Sequence, residues 1–239
     1  MLIQFVRGLL IFAAGLTTSF GMDTPHNTLV LGGTGRLGAE IVASLTTAGH
    51  PVTVFVRPSS DRSRLKDLSV NYIVGDLLDG SGVLAELNGK KFDYVIDASA
   101  RGPSNDPFYG DVMKNILTAL QVSEVQQFIL HGSIGAGNSA DVFTAAMYKR
   151  MRKVMQAKTE AENLLIESGI PYTIIRNGVI KLDGTAATGT ALLTEDVTKM
   201  GTVTRPDLAT LTMQCLGIEN CLNKTFHALD ASWESNPGY

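Results

Sequence analysis

From Thr28 onward, short apolar runs alternate with stretches whose apolar residues recur at helical spacing. The runs at 28–31, 52–56, 72–74, 94–97, 128–131 and 172–175 predict strands, and the periodic stretches at 37–48, 81–87, 108–122 and 145–168 predict helices. Strand, helix, strand at this spacing predicts βαβ units and a parallel sheet. The strands are apolar throughout, as expected when helices cover both faces. Right-handed crossovers then favour an α/β, doubly wound arrangement. Beyond Ile180 the pattern loosens. "KLDGTAATGTALLTEDVTKMGTVT" is rich in Gly and Thr and reads as a loop with room for a short strand, followed by a helix over 206–217 and a strand near 224–229.

The first strand runs into "GGTGRLG", which places Gly32, Gly33, Gly35 and Gly38 within seven residues at the start of a helix. Gly33-x-Gly35-x-x-Gly38 fits G-x-G-x-x-G, and Gly32-x-x-Gly35-x-x-Gly38 fits as well. One glycine permits the tight turn, the next lets a pyrophosphate approach the backbone, and Gly38 lets the helix sit close to the sheet. The helix N-terminus presents free N–H groups and a positive dipole end. Preceded by a strand and followed by a periodic helix and a second strand, the motif points to a Rossmann-type dinucleotide site. Its expected contacts are Gly33, Thr34, Gly35, Arg36, Leu37 and Gly38.

An acidic residue closing the second strand would hold the ribose 2′-hydroxyl of NAD. Here that strand ends "VFVRPSSDRSR", and Arg57 occupies the place. A guanidinium grips a 2′-phosphate bidentately, and Arg36 can reach the same group. The expected cofactor is therefore NADP (NADPH) rather than NAD. Arg62 and Arg64 read as a solvated helix start. Asp76, closing the third strand in "VGDLLD", is placed to accept from the adenine amino group or to cap a turn. Leu77 is placed to pack on the ring.

Composition narrows the class. A 44% hydrophobic and 18% charged chain of 239 residues with net charge −3 is ordinary for a globular protein. It lacks the basic surplus of a charge-driven nucleic-acid binder. The stretch "YKRMRKVMQAK" reads as a solvated helix face. Cys215 and Cys221 have no ligand partners nearby, so no metal site is expected, and they read as reduced thiols. Residues 1–21 pair one arginine with an apolar run. They read as a signal-like segment cleaved after Gly21, as an uncleaved anchor, or as sequence upstream of a true start at Met22. The remainder, 22–239, reads as one dinucleotide-binding domain with a small C-terminal substrate-side elaboration. A cytoplasmic location is expected because a reduced nicotinamide is a cytosolic reagent. The alternative is export or anchoring to a membrane through 1–21.

The ordered set "LVLGGTGRLG", "VFVRPSS", "VGDLLD", "VIDASA", "FILHGSIGAG", "KTEAENLLIESGIPYTIIRNG" and "TRPDLA" resembles the atypical branch of the short-chain dehydrogenase/reductase superfamily, the NmrA-like and biliverdin-reductase-B-like NAD(P)-binding proteins. The resemblance implies a bound dinucleotide and a substrate pocket built by the C-terminal loops. It places Asp97, Ala98 and Ser99 beside the ribose and nicotinamide, Ser133 at the active-site serine position, and Lys158 on the nicotinamide ribose. In this superfamily a Tyr four residues before the Lys commonly protonates the substrate. Here Val154 stands at that position. Tyr148 lies ten residues before Lys158, on the order of 15 Å along a helix. It reads as a packing residue or, with Arg152, as a shifted pair. Lys158 itself has a second reading, a surface partner of Glu162.

On the substrate side, the loops 99–110 and 179–204 leave the carboxyl ends of strands, where ligands bind in open α/β sheets. Phe108 and Tyr109 are candidates to stack on a flat ligand, Arg101 to meet an anion, Asn177 to face the nicotinamide, and His131 to tune the pocket or serve structure. The expected function is NADP-dependent hydride transfer to a small organic substrate, with the proton coming from water, Ser133 or the substrate. The alternative is a non-catalytic NADP-binding sensor or assembly factor, which Val154 favours.

Overall fold

A computed structural model describes residues 25–101, 108–121, 124–230 and 232. The segment 1–21, the alternative start at Met22, Val122 and residues 102–107 of the first substrate loop lie outside them. In chain order the elements are β1 (Thr28–Leu31), α1 (Arg36–Thr47), β2 (Val52–Val56), β3 (Asn71–Val74), α2 (Gly80–Leu87), β4 (Tyr94–Asp97), α3 (Phe108–Leu120), β5 (Gln127–Ser133), α4 (Ala145–Glu167), β6 (Tyr172–Asn177), β7 (Val179–Ile180), β8 (Ala191–Thr194), β9 (Thr202–Val203), α5 (Arg205–Cys215) and β10 (Lys224–Asp230).

Eight strands form one sheet in the order β3-β2-β1-β4-β5-β6-β10-β8. The pairings are parallel except β10 with β8, which is antiparallel. The reversal of strand order between β1 and β4 is the switch point at which doubly wound folds bind ligands. Alternation along each strand explains the two layers of core. In β1, Leu29 and Leu31 join Phe128, Val95, Met113 and Ile116 under α2, α3 and α4, while Val30 joins Ile41, Val42, Ile129 and Leu208 under α1 and α5. Helix starts are capped where the sequence supplies a cap. Asp79, Thr144 and Thr204 accept backbone N–H bonds from Gly82, Met147 and Asp207. Helix α1 begins at Gly35 without a side-chain cap.

Two expectations are corrected. The Gly/Thr-rich segment holds two strands where one was allowed for: the four-residue β8 and the two-residue β9, which pairs with β7 just ahead of the segment. Their hydrogen-bonding partners lie far along the chain, so local periodicity does not reveal them. The two cysteines are not separate thiols. A short turn over Glu219–Cys221 folds back on the end of α5, brings the Cα atoms of Cys215 and Cys221 to 5.5 Å, and the pair forms a disulfide.

Candidate functional site

A cleft of about 730 Å³ runs along the carboxyl ends of the parallel strands. Its floor is the β1–α1 turn, and local sterics dictate the glycines there. Gly32 adopts φ +72°, and a Cβ on it would come 2.6 Å from the Ser99 backbone. A Cβ on Gly33 would stand 2.6 Å from Val54 Cγ1, and one on Gly38 would run into the Gly32 carbonyl. Only glycine lets this turn and the first turn of α1 sit so close to β2 and β4. With α1 uncapped, its first N–H groups face the cleft beside Thr34, Gly35, Arg36 and Leu37. Gly33 and Gly38 shape this cradle from behind and do not line it. The glycines let the turn form, and the backbone of Gly32, Thr34 and Gly35 together with the uncapped start of α1 gives the cleft a floor that suits a dinucleotide pyrophosphate.

At one end, Arg57, Ser60, Asp76 and Leu77 line the cleft. Arg57 and Ser60 form a turn, in which the Arg57 N–H donates to Ser60 Oγ at 3.1 Å. Asp76 serves as a turn cap, accepting from Leu78 N at 3.0 Å. Arg62 stacks 4.6 Å from the Tyr72 ring centroid, so it is not simply solvated. Arg36 meets Asp183 at 3.4 Å.

At the other end, Ala98, Ser99, Ser133, Lys158 and Asn177 line the cleft. Parallel register sets Ser133 opposite Asn177 at the ends of β5 and β6. Ser133 Oγ donates to the Ile134 carbonyl at 3.2 Å. Neither Val154 nor Tyr148 lines the cleft. The tyrosine near the lysine comes from α3: Lys158 Nζ lies 4.1 Å from the Tyr109 ring centroid, and the Tyr109 hydroxyl is 3.2 Å from both the N and O of Arg101. No sequence spacing announces this placement, because Tyr109 and Lys158 sit on different helices.

Beneath Lys158 a cavity of about 10 Å³, the size of one water, is lined by Asp97, Ser99, Tyr109 and His131 among others. Asp97 is buried and accepts from Ser99 N at 2.8 Å, while Ser99 Oγ is buried without a hydrogen-bond partner. Burial pushes the Asp97 carboxyl above the usual carboxylate range, against the hydrogen bond from Ser99 and the charge of Lys158. Burial likewise holds the Lys158 ammonium below its ordinary value, while Asp97 and Glu162 oppose the shift. Glu162 does not act as a surface partner. It is buried and grips Arg176 bidentately at 3.1 and 2.8 Å, which locks α4 to β6.

His131 is a positioning residue. Burial lowers its pKa to about 4 despite the hydrogen bond to Asn177, so the ring is neutral at pH 7. Nδ1 lies 3.1 Å from Asn177 Oδ1 and Nε2 3.0 Å from Thr212 Oγ1. In the Nδ1–H tautomer the ring donates to the Asn177 oxygen and leaves the amide NH₂ for the cleft.

The substrate-side segment is fastened from below. Asp207 accepts from Thr188 N, Gly189 N and Thr204 Oγ1 at 2.9, 3.1 and 2.7 Å. Asp230 accepts from Thr188, Thr190 and Ser232 hydroxyls. Burial alone would raise the Asp230 pKa, but these bonds prevail and hold it at about 2. Sequence reasoning missed Asp183, Arg205 and this pair of carboxylates. Arg205 lines the cleft and donates to the Lys181 carbonyl at 2.8 Å. Among the described residues no group of three or more His, Cys, Asp or Glu could hold a metal ion, and no helix is long and apolar enough to cross a membrane.

The sheet order, the glycine turn and the uncapped helix define a Rossmann-type α/β fold with a dinucleotide-type cleft. A family model described as NAD(P)H-binding matches residues 32–219, and the chain belongs to that NAD(P)H-binding family. The chain is 27% identical to photosystem II assembly factor Ycf39 of Cyanophora paradoxa over 219 residues, covering 87% of this chain and 64% of the relative. It is 34% identical to sanguinarine reductase of Eschscholzia californica over 155 residues, covering 59% of this chain and 55% of the relative. It thus spans less than two thirds of the length of both. Among solved structures, the anaerobillin reductase ChuY of Escherichia coli O157:H7 superimposes with a TM-score of 0.76 at 21% identity, covering 87% of this chain and 98% of that one.

Proposed function

We propose that the protein is an NADPH-dependent reductase of a small, flat organic carbonyl or conjugated compound. The observation that carries this reading is the layout of one continuous cleft. Arg57 and Arg36 stand at one end, an uncapped helix start lies in the middle, and Lys158, Ser133 and Asn177 stand at the other. In this reading Arg57, Ser60 and Arg36 hold the 2′-phosphate, the α1 N–H groups hold the pyrophosphate, and Lys158 holds the nicotinamide ribose. When bound, the reduced nicotinamide supplies a hydride. Lys158 Nζ gives the matching proton and is left as a neutral amine that regains its proton from water. Its depressed pKa makes it the better donor, and no phenol stands where the superfamily places one. Asn177, fixed by His131, orients the carbonyl or carboxamide it meets. The binding partner is a small molecule rather than a nucleic acid. The compartment proposed is the cytoplasm, where reduced nicotinamide is supplied. The Cys215–Cys221 disulfide is the feature of the fold that argues for an oxidising one.

Two of the similar proteins carry reductase in their names, which supports catalysis. A second reading is a non-catalytic NADP-binding assembly factor. Val154 at the usual tyrosine position and the name of the Ycf39 relative favour it. Fluorescence titration tests the binding half: NADPH binds more tightly than NADH, and Arg57→Ala weakens NADPH roughly tenfold or more while leaving NADH unchanged. Equal affinities would refute the phosphate assignment. A screen of NADPH consumption over quinones, flavins and aldehydes tests the catalytic half. A fully loaded protein that turns over none of them favours the second reading.

A further inference from the structure

The segment between β7 and β8 places one carboxylate among three guanidinium groups. Asp183 Oδ2 lies 3.4 Å from Arg36 Nε and 3.9 Å from a terminal nitrogen of Arg64, and Oδ1 lies 3.9 Å from a terminal nitrogen of Arg205. Arg36 opens α1, Arg205 opens α5, and both line the cleft. The two helix starts add partial positive charge at the same place. One carboxylate against three guanidinium groups leaves a surplus that suits a dianion. The segment is also anchored at both ends and exposed in its middle. Lys181 N pairs with the Val203 carbonyl at 3.0 Å on one side, and Thr188 and Gly189 are fastened to Asp207 at 2.9 and 3.1 Å on the other. Between them Leu182 is 86% exposed, so little packing holds residues 182–187 besides the contacts of Asp183 and a turn closed by Thr185 Oγ1 on the Leu182 carbonyl.

We infer that Asp183 is an internal stand-in for the cofactor's 2′-phosphate: it occupies Arg36 in the free protein, and the phosphate of NADPH displaces it and frees residues 182–187 on the substrate side. This rests on the reading of Arg36 and Arg57 as the phosphate end of the cleft, and it makes Asp183 a specificity-determining residue. NADH has no 2′-phosphate, so it has nothing with which to compete for Arg36 and leaves the strap in place. An exposed ion pair is a weak rival, so the competition tunes affinity and does not block binding.

The test compares wild type with Asp183→Asn, a substitution at a half-exposed position, in fluorescence titrations with NADPH and NADH at low salt. Asp183→Asn is expected to tighten NADPH by roughly two- to fivefold and leave NADH unchanged. Amide hydrogen exchange over residues 182–187 is expected to speed up on adding NADPH to wild type, and not on adding NADH. An unchanged NADPH/NADH ratio, or weaker NADPH binding with slower exchange, would overturn the inference and leave the cofactor assignment standing. Failure of wild type to prefer NADPH would remove both.

Discussion

Asp97 and Asp230 end parallel strands of the same sheet, and both are buried. Their surroundings set them to opposite tasks. Asp230 collects donors from Thr188, Thr190 and Ser232 and stays ionised. Asp97 accepts one backbone N–H, from Ser99, and burial raises its pKa. Burial penalises both carboxylates, and the number of donors decides which term wins. The first fastens the wall of the cleft. The second sits under Lys158, whose charge it supports. The residue type says nothing of this difference.

Removing each carboxylate tests the contrast at its largest. Asp230→Ala leaves three hydroxyl donors without their acceptor and is expected to destabilise the fold by about 2–3 kcal/mol. Asp97→Asn keeps an acceptor for Ser99 N and removes a carboxyl whose charged form burial disfavours, offset by the lost support of Lys158, so it is expected to destabilise less than Asp230→Ala. Chemical denaturation of both variants checks the pair. Equal losses would erase the distinction.

The pH dependence sharpens it with signs. Asp230 has a folded pKa below its unfolded value of 3.8, so its stabilisation is full above that value and is lost as pH falls toward about 2. Asp97 has a raised folded pKa, so the folded state holds its proton more tightly. Its contribution therefore declines as pH rises from 3.8 through the folded value and is constant beyond. Thermal midpoints between pH 2 and 7 should show a shallower acid limb in Asp230→Asn and a flatter region above pH 4 in Asp97→Asn.

The same contrast explains what the sequence made legible. The β1–α1 turn is readable because its constraints are local: Gly32, Gly33 and Gly38 sit within seven residues and each answers to backbone a few residues or one strand away. The six parallel strands from β1 to β6 follow from uninterrupted apolar runs. Asp97 was visible as a strand end through the "VIDASA" resemblance, and its elevated proton affinity was not. The fastening roles of Asp230 and Asp207 were not visible, because beside the neighbouring Ser232 and Thr204 each collects donors 40 and 19 residues away. Strand β8 pairs with β10 across a stretch that contains α5, and the disulfide depends on a turn that no spacing specifies. Tyr109 reaches Lys158 from another helix. Apart from the disulfide, whose cysteines are six residues apart, what failed to show was a contact between distant segments.

The smallest effect concerns Lys158, which Asp97 and Tyr109 support in different ways. The Asp97 charge and the face of the Tyr109 ring both favour the ammonium against burial. Tyr109→Phe keeps the ring and removes the hydroxyl with its contact to Arg101, so the Lys158 pKa should hold. Tyr109→Leu removes the ring and should lower the pKa further, in the same direction as Asp97→Asn. Titration of the Lys158 side-chain carbon signal by NMR, in protein labelled at lysine, reads this directly. If Phe and Leu shift it equally, the hydroxyl and its hold on the Arg101 backbone govern the lysine, and the ring is mere packing. If neither shifts it while Asp97→Asn does, the strand-end carboxylate alone keeps the proton on Lys158, and the contrast with Asp230 becomes the whole account of how this cleft divides two buried carboxylates between fastening a wall and holding a charge.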